Sequence, residues 1–182
     1  MKNIISFLFI IGLFTNIIIA QETCENDKIL WRENQKLEWT DFLGVRPDSI
    51  QDLSVAISSV SIELKGDVYE GEIPDWTVCA FFNKNNSWTI TDSKQTLEHE
   101  QLHFDIAELT ARKIRKRFEE LMESKERNNA IYFQEYERIK KEGSNLQKKY
   151  DSESYFNSAK QKEWISQIES DLLKYKKYKI DK

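Results

Sequence analysis

The sequence predicts one α+β domain, in which a small antiparallel sheet comes first and three helices follow. Up to about residue 92, β-branched and aromatic residues alternate with polar ones in short runs, as in half-buried strands. Beyond that point apolar residues recur every three or four positions, as on the buried face of a helix. With 32% charged residues, two prolines and five glycines, the composition is that of an ordered, helix-rich protein.

Residues 1–20 are a predicted secretory signal peptide. Lys2 precedes an apolar run that ends on the small residue Ala20. We expect cleavage after Ala20, which leaves 21–182 as a single domain in the periplasm or outside the cell, with no stable membrane insertion. The alternative is an uncleaved membrane anchor, but the run is short for a membrane span and two polar residues interrupt it.

Charge and cysteine content narrow the class of protein further. The formal net charge is −4, and no nucleic-acid-binding motif is present, so we expect no nucleic-acid partner. The two cysteines, Cys24 and Cys79, can pair in an oxidising compartment. The sequence leaves that pairing open, because it does not give the distance between their Cα atoms.

The first half of the chain predicts three to five short strands. The segment LSVAISSVSIELKG (53–66) alternates but slips by one residue at Ser58-Ser59, which suggests a β-bulge. TVCAFFN (77–83) and SWTI (87–90) are two further predicted strands, joined by a polar turn.

The second half predicts three helices. The first begins at a cap on Asp92, with a glutamine three residues later, and runs to about Ser124. The second covers about 128–149, and the polar run DSESYFN (151–157) is predicted to end it as a loop. The third begins at a cap on Ser158.

Both histidines of the chain lie on the first predicted helix, four residues apart. Because a helix turns by about 100° per residue, His99 and His103 project within about 40° of each other and can bind one metal ion. Glu100 follows the first histidine directly, which completes a His-Glu-x-x-His pattern. The alternative is an ordinary amphipathic helix that contains two histidines, but random placement gives this pattern in roughly one such chain in a thousand.

In metalloproteases with this pattern, the two histidines bind zinc and the glutamate does not. The glutamate takes a proton from water at the metal and passes it to the leaving amine. We therefore predict a Zn²⁺ site at His99 and His103, with Glu100 as the general base of a peptide-bond hydrolase.

A catalytic zinc site needs a third protein ligand as well as an open position. Glu108 and Asp105 are unsuitable, since they project about 180° and 120° away from His99 on the same helix. The ligand must therefore come from elsewhere in the fold, and we favour Asp151 in the loop predicted between the last two helices. The other candidates are acidic residues nearby in sequence: Glu135, Glu137 and Glu153.

Four segments together resemble a family of exported bacterial proteins of unknown function that are predicted to be zinc-dependent proteases, the domain-of-unknown-function family 922. The resemblance covers nearly all of the chain after residue 20, and its longest segment is the third. The segments are LEWTDFLG (37–44), NSWTI (86–90), HEQLHFDIAELTARKIRK (99–116) and YDSESYFNSAKQKEW (150–164). The resemblance implies a zincin-like active-site helix with His99 and His103 as ligands and Glu100 as base.

The chain departs from the family pattern at one place. The family has a His-Gly pair five residues after the Asp of the Tyr-Asp pair, and here Phe156 and Asn157 stand there. Either Asp151, which matches the family, is the third ligand, or this member binds metal weakly or has lost catalysis. The second possibility predicts a non-catalytic exported domain that keeps the fold and binds a partner in the cell envelope.

A peptide or protein substrate also needs a surface that holds an extended chain. The predicted strand SWTI (87–90) directly precedes the helix that carries the histidines. We expect this strand to border the cleft, where a peptide could add to its edge through main-chain hydrogen bonds. The alternative is that it is an ordinary buried strand.

Overall fold

The computed structural model describes residues 27–48, 54–155 and 157–180. The predicted signal peptide and Cys24 lie outside these residues, whereas Cys79 lies on a central strand with a half-buried thiol. The fold is α+β, as predicted, and the described residues form five strands in two small antiparallel sheets and three helices. None of the helices in the described ranges is both long and apolar enough to cross a membrane.

The larger sheet consists of the strands β1 (Lys28–Leu30), β3 (Val60–Asp67) and β4 (Asp75–Asn83). Their order in the sheet is β1-β4-β3, so that β4 is central. The long pair runs from Val60 opposite Phe82 to Asp67 opposite Asp75, and β1 pairs with the other edge of β4. Along β4 the residues Val78, Ala80 and Phe82 are fully buried, as the alternation predicts for one face of a sheet.

The smaller sheet pairs β2 (Ala56–Ile57) with β5 (Trp88–Thr89). Ser58 and Ser59 therefore do not form a bulge within one strand. They separate β2 from β3, because the two strands pair with different partners. Side chains take over the hydrogen bonding at this junction: the Ser59 amide donates to Ser87 Oγ at 2.9 Å.

Three helices follow, and two begin one residue from the predicted cap. Helix α1 (Lys94–Glu123) begins after Ser93, whose hydroxyl accepts the Thr96 amide. Helix α3 (Ser158–Lys174) begins after Asn157, whose side chain accepts the Lys160 amide. Each predicted cap lies next to a second residue of the kind that caps helices, and the backbone conformation selects between the two.

Helix α2 (Asn129–Ser154) is longer than the sequence predicted. The segment 151–154, expected to be a loop, forms the last turn of this helix. Its polar residues contain no proline or glycine that would end a helix, and the buried Ser154 hydroxyl donates to the Tyr150 carbonyl one turn earlier. The polar run is therefore a largely solvent-facing turn of a helix.

Helix α1 is about 45 Å long and lies between the sheet and α3. One core joins α1, α2 and the sheet, and includes Phe82, Phe104, Ala111 and Tyr136. A smaller core joins the three helices, and consists of Leu102, Ile106, Leu109, Tyr150 and Ile168. Since α1 contacts both cores, all residues from Phe104 to Arg112 are buried.

Candidate metal centre

The two histidines are brought together at the N-terminal third of α1, as the sequence predicted. The Nε2 atoms of His99 and His103 are 3.2 Å apart, and their rings stand nearly edge to face. Both rings lie against Tyr150 of α2, with His99 stacked on the phenol ring at 4.5 Å between ring centroids. The histidines are thus held between two helices, with both Nε2 atoms directed at one point.

Asp151 completes a three-residue cluster from the other helix. Its Oδ1 atom is 2.9 Å from His103 Nε2 and 3.3 Å from His99 Nε2. The structure places Asp151 in the last turn of α2 and not in the predicted loop. Within the described residues, His99, His103 and Asp151 form a group that could hold a metal ion.

The geometry of the cluster fits a small four-coordinate ion. The three atoms form a triangle with edges of 2.9, 3.2 and 3.3 Å. Tetrahedral bonds of about 2.0–2.1 Å to nitrogen or oxygen place neighbouring ligand atoms about 3.3 Å apart. The triangle is therefore close to one face of such a tetrahedron, and the fourth position remains for water or substrate.

Gln147 sets the orientation of the His103 ring. Its Nε2 donates to the His103 carbonyl at 2.8 Å, so its Oε1 must point at the ring, where it lies 2.6 Å from Nδ1. An amide oxygen only accepts, so Nδ1 carries the proton and the lone pair of His103 Nε2 points at the cluster.

Ser154 orients the His99 ring as Gln147 orients the His103 ring, but over a longer distance. Its hydroxyl donates to the Tyr150 carbonyl, which leaves an oxygen lone pair 3.5 Å from His99 Nδ1. With both Nδ1 atoms protonated, two nitrogen lone pairs and a carboxylate oxygen face one another at about hydrogen-bond distance. Such an arrangement repels itself unless a proton or a metal cation lies between the three atoms.

The pKa shifts of His103 and Asp151 also indicate that a proton or a cation belongs between the three atoms. Burial disfavours the charged form of His103, but the carboxylates of Asp151 and Glu100 outweigh burial and raise the pKa of His103 above its ordinary value. Burial raises the pKa of Asp151, yet the hydrogen bonds and charges of His103 and His99 lower it well below its usual range. A cation between these groups is therefore favoured.

Glu100 is not a member of the cluster but lies beside it. Its side chain is only 4% exposed and lines the same cleft as the histidines. Within the described part of the chain its carboxylate has no hydrogen-bond or ion-pair partner, and its backbone carbonyl accepts the Ser58 hydroxyl at 3.2 Å. A carboxylate without a protein partner in the wall of a cleft is placed to bind a polar ligand such as water.

The cluster opens into a cleft of about 920 Å³. One wall is the N-terminal part of α1, and the opposite wall is the segment 54–60, which contains β2. The predicted strand SWTI does not border the cleft; it forms β5 and lies behind β2. The prediction was wrong because β2, and not its partner β5, borders the cleft. The sequence does not show which of two paired strands faces the helix.

Hydrogen-bond alternation shows which edge of this wall is open. The carbonyls of Val55 and Ser59 accept backbone amides from the β5 and β4 side, at 2.8 Å each. Since backbone groups point to opposite sides at successive positions of an extended chain, those of Ala56 and Ser58 face away from β4 and β5. These groups lie along the cleft, opposite the helix that carries the histidines.

The remaining acidic candidates are engaged elsewhere. Glu108, excluded by helix geometry, is buried and pairs with Arg112 and Arg115. Asp105 accepts the indole N–H of Trp31 at 2.7 Å, on a different side of α1. Neither residue belongs to the cluster.

The candidates on α2 also have other partners. Glu135 pairs with Arg117 and Arg138. Glu137 pairs with Lys140, and Glu153 accepts the indole N–H of Trp164. Asp151 is therefore the one member of the proposed set that contacts the histidines.

Sequence reasoning missed Gln147, Tyr150 and Ser154. Together with Asp151 these residues occupy positions i, i+3, i+4 and i+7 of one helix, which is a single helical face. That spacing could have identified them if the helix had been extended through residue 154. The early end predicted for α2 concealed the pattern.

No family model matches the chain, and no curated protein or solved structure is significantly similar to it. The resemblance drawn from the four sequence segments therefore stays a prediction, and the function is argued from the geometry of the site.

Proposed function

We propose that the protein is a zinc-dependent metallopeptidase that acts in the periplasm or outside the cell. The observation that carries this proposal is the triangle of His99 Nε2, His103 Nε2 and Asp151 Oδ1 in the wall of a cleft. Beside it lies the Glu100 carboxylate, which has no hydrogen-bond or ion-pair partner among the described residues. Two imidazoles and one carboxylate are the protein ligands of one common type of catalytic zinc site.

Zinc, when bound, supplies a Lewis acid that polarises a carbonyl and makes water acidic enough to act near neutral pH. His99, His103 and Asp151 would hold the ion, with Gln147 and Ser154 orienting the imidazoles. The Glu100 carboxylate would accept a proton from the attacking water and deliver it to the leaving nitrogen. Its lack of another partner suits this task, since no hydrogen bond must first be broken.

A peptide is favoured over a small substrate by the wall of the cleft. The open backbone groups of Ala56 and Ser58 can pair with the main chain of an extended peptide, as a strand added to a sheet edge does. Ser58 also donates to the Glu100 carbonyl, so the open edge is tied to the helix that carries the proposed base. Pairing there would place a peptide bond between the edge and the metal cluster.

The test compares zinc content and peptide cleavage in the wild type and in Glu100→Gln. Glu100→Gln should keep bound zinc, measured by mass spectrometry of the metal, and should lose about 10²- to 10⁴-fold in turnover of a mixed peptide library. The matched control is Glu98→Gln, an exposed residue on the same helix that pairs only with Lys94. It should retain both zinc and turnover.

The results of these assays distinguish a metallopeptidase from a non-catalytic domain. Cleavage that a chelator does not abolish, or that survives Glu100→Gln, contradicts the proposed mechanism. Zinc retained without cleavage in the wild type supports the non-catalytic domain that binds a partner in the cell envelope. A wild-type protein that binds no zinc excludes the metallopeptidase and also a non-catalytic domain that keeps the metal.

A further inference from the structure

The open edge above the metal cluster has a defined end at Ile62. The Ile62 carbonyl already accepts the Tyr136 hydroxyl at 2.7 Å, on the edge of β3 that pairs with no other strand of the described residues. A peptide that pairs with Ala56 and Ser58 can therefore not continue past Val60. It must leave the edge where the tyrosine side chain of α2 occupies the next pairing position.

A second cavity, of about 350 Å³, opens at this place. It lies between β3, α1 and α2, and Val60 and Gln147 line both this cavity and the main cleft. The two spaces are therefore neighbours, separated by the glutamine that orients His103. A peptide that leaves the edge after Val60 would have a side chain within reach of this second cavity.

The lining of this cavity indicates an uncharged, apolar occupant. Lys140 is the one ionisable residue in it, and its ammonium is neutralised by Glu137 at 2.8 Å and covered by the ring of Tyr136. Thr110 has already donated its hydroxyl to the Ile106 carbonyl at 2.8 Å. Gln147 uses both ends of its amide on His103, and the Ser61 hydroxyl bonds to Asn83. Apart from Ser144 at the rim, what remains for contact is the aliphatic surface of Val60, Ile62 and Ala107.

Resting on the proposed function, we propose that this cavity is a specificity subsite that receives a large apolar side chain, aliphatic or aromatic, from the substrate residue at the end of the paired segment. Buried apolar area would discriminate such a residue from alanine, and a charged residue would be rejected because it would lose hydration without a new partner. The metallopeptidase would then cut at a fixed distance from a leucine- or phenylalanine-like residue.

The test fills the cavity from its rim. Ser144 lies on the exposed side of α2 and lines the cavity, so Ser144→Phe should obstruct it without disturbing either core. Asn145→Phe adds the same ring one position along the helix, where the residue is exposed and lines neither cavity, and is the matched control. Quenched fluorescent peptides with Ala, Leu, Phe or Glu at each position around the cut bond are the probes.

The wild type should prefer Leu or Phe over Ala by at least about tenfold in kcat/KM at one position. Ser144→Phe should lose this preference at that position alone, and Asn145→Phe should keep it. An unchanged preference in Ser144→Phe, or no apolar preference at any position, overturns the subsite even though cleavage itself is intact.

A binding measurement separates this inference from the proposed function. The zinc-loaded Glu100→Gln protein is titrated with the Leu and Glu peptides while the amide signals of Ala107, Thr110 and Gly143 are followed by NMR. Shifts with the Leu peptide alone support the subsite even if the wild type cleaves nothing. No shifts at these amides overturn the subsite, whatever the cleavage assay gives.

Discussion

Gln147 shows how one uncharged side chain can decide the chemistry of a metal site. Its amide donates to the His103 main-chain carbonyl and accepts from Nδ1 of the ring, which leaves only one arrangement of the Nδ1 proton. Neither bond can be inferred from residue type, since a glutamine on a helix is usually a solvated residue. Gln147 thus orients a member of the candidate cluster without belonging to the cluster.

We predict that Gln147→Leu lowers zinc affinity by about 10- to 100-fold, because His103 loses the acceptor that fixes its tautomer. Gln147→Glu keeps an acceptor oxygen and should retain most of the affinity. Competition with a chromophoric chelator measures the effect, and Gln134→Leu on the exposed face of the same helix is the control. Equal affinity in Gln147→Leu and the control would show that the glutamine is only a packing residue.

The histidines could be identified from the sequence because their geometry is local. Four residues on one helix suffice to place His99 and His103 side by side, whatever the rest of the fold does. Asp151 lies 48 positions further along the chain than His103, so its approach depends on how α2 packs. It could be named as the favoured candidate, but only tertiary structure distinguishes it from Glu135, Glu137 and Glu153.

At the level of elements, the close contact of α1 and α2 is what brings Asp151 to the histidines. The contact is closest at Gly143, where an added Cβ would lie 2.4 Å from Thr110 Oγ1 and 2.6 Å from Thr110 Cγ2. A glycine inside a helix weakens it by about 1 kcal/mol relative to alanine. At Gly143 this cost is offset, because the missing side chain lets α1 and α2 pack closely.

Gly143→Ala should therefore destabilise the protein by about 1–3 kcal/mol, even though alanine is the better helix former. Urea unfolding measures the change. Thr110→Ala removes both clashing atoms, so the double variant should be more stable than the sum of the single changes predicts. Additive effects would mean that the two helices can separate at this point without cost.

Element type could be predicted better than element boundaries. The helical period of α1 and the alternation of β3 are carried by many residues, so single exceptions do not obscure them. Caps and ends depend on one or two residues: Ser93 and not Asp92 caps α1, and α2 continues through 151–154. The pairing of β2 with β5 was not predictable, because local sequence does not specify a partner strand.

For the whole molecule, a buried charge network fastens the C-terminal segment to α1. Glu108 accepts from Arg112 and Arg115. One further guanidinium nitrogen of each arginine, Nη1, donates to the carbonyl of Leu172 and of Tyr178, respectively. Both arginines need the carboxylate, since they are largely withdrawn from water. The network lies away from the metal cluster and has a structural role.

Glu108→Gln keeps the shape of the side chain but leaves two buried guanidinium groups without a counter-charge. We expect a loss of about 3–5 kcal/mol in the free energy of unfolding, measured in urea. Glu119→Gln, which removes a solvent-exposed partner of Lys177, should have a much smaller effect. Similar losses in both variants would indicate that solvent reaches the Glu108 network.

Metal binding should stabilise the whole fold in a pH-dependent way. Without metal, His103 has a raised pKa, so its contribution to stability is present below about pH 6.5 and is lost as the pH rises through the folded pKa. Asp151 has a lowered pKa, so its contribution is present above about pH 3.8 and is lost as the pH falls. The metal-free pair therefore stabilises the protein most at mildly acidic pH.

Zinc requires deprotonated histidines, so its own stabilisation grows in the opposite direction, as the pH rises. At a free zinc concentration of about 100 times Kd, the gain is about 2.7 kcal/mol, or about 5–10 °C in Tm for a chain of this size. The Tm difference between zinc-loaded and metal-free protein should widen from pH 5.5 to pH 8. His103→Ala should show little difference at either pH, and a gap that narrows with rising pH would contradict the proposed ligand set.

The hydroxyl of Tyr136 on the Ile62 carbonyl has a further consequence for solubility. An exposed strand edge is a template on which a second chain can polymerise, and long flat edges are the usual starting points of amyloid-like aggregation. By covering the middle of β3, the tyrosine leaves only a short stretch of edge available. A neighbouring molecule therefore finds too few pairing positions there to nucleate a fibril.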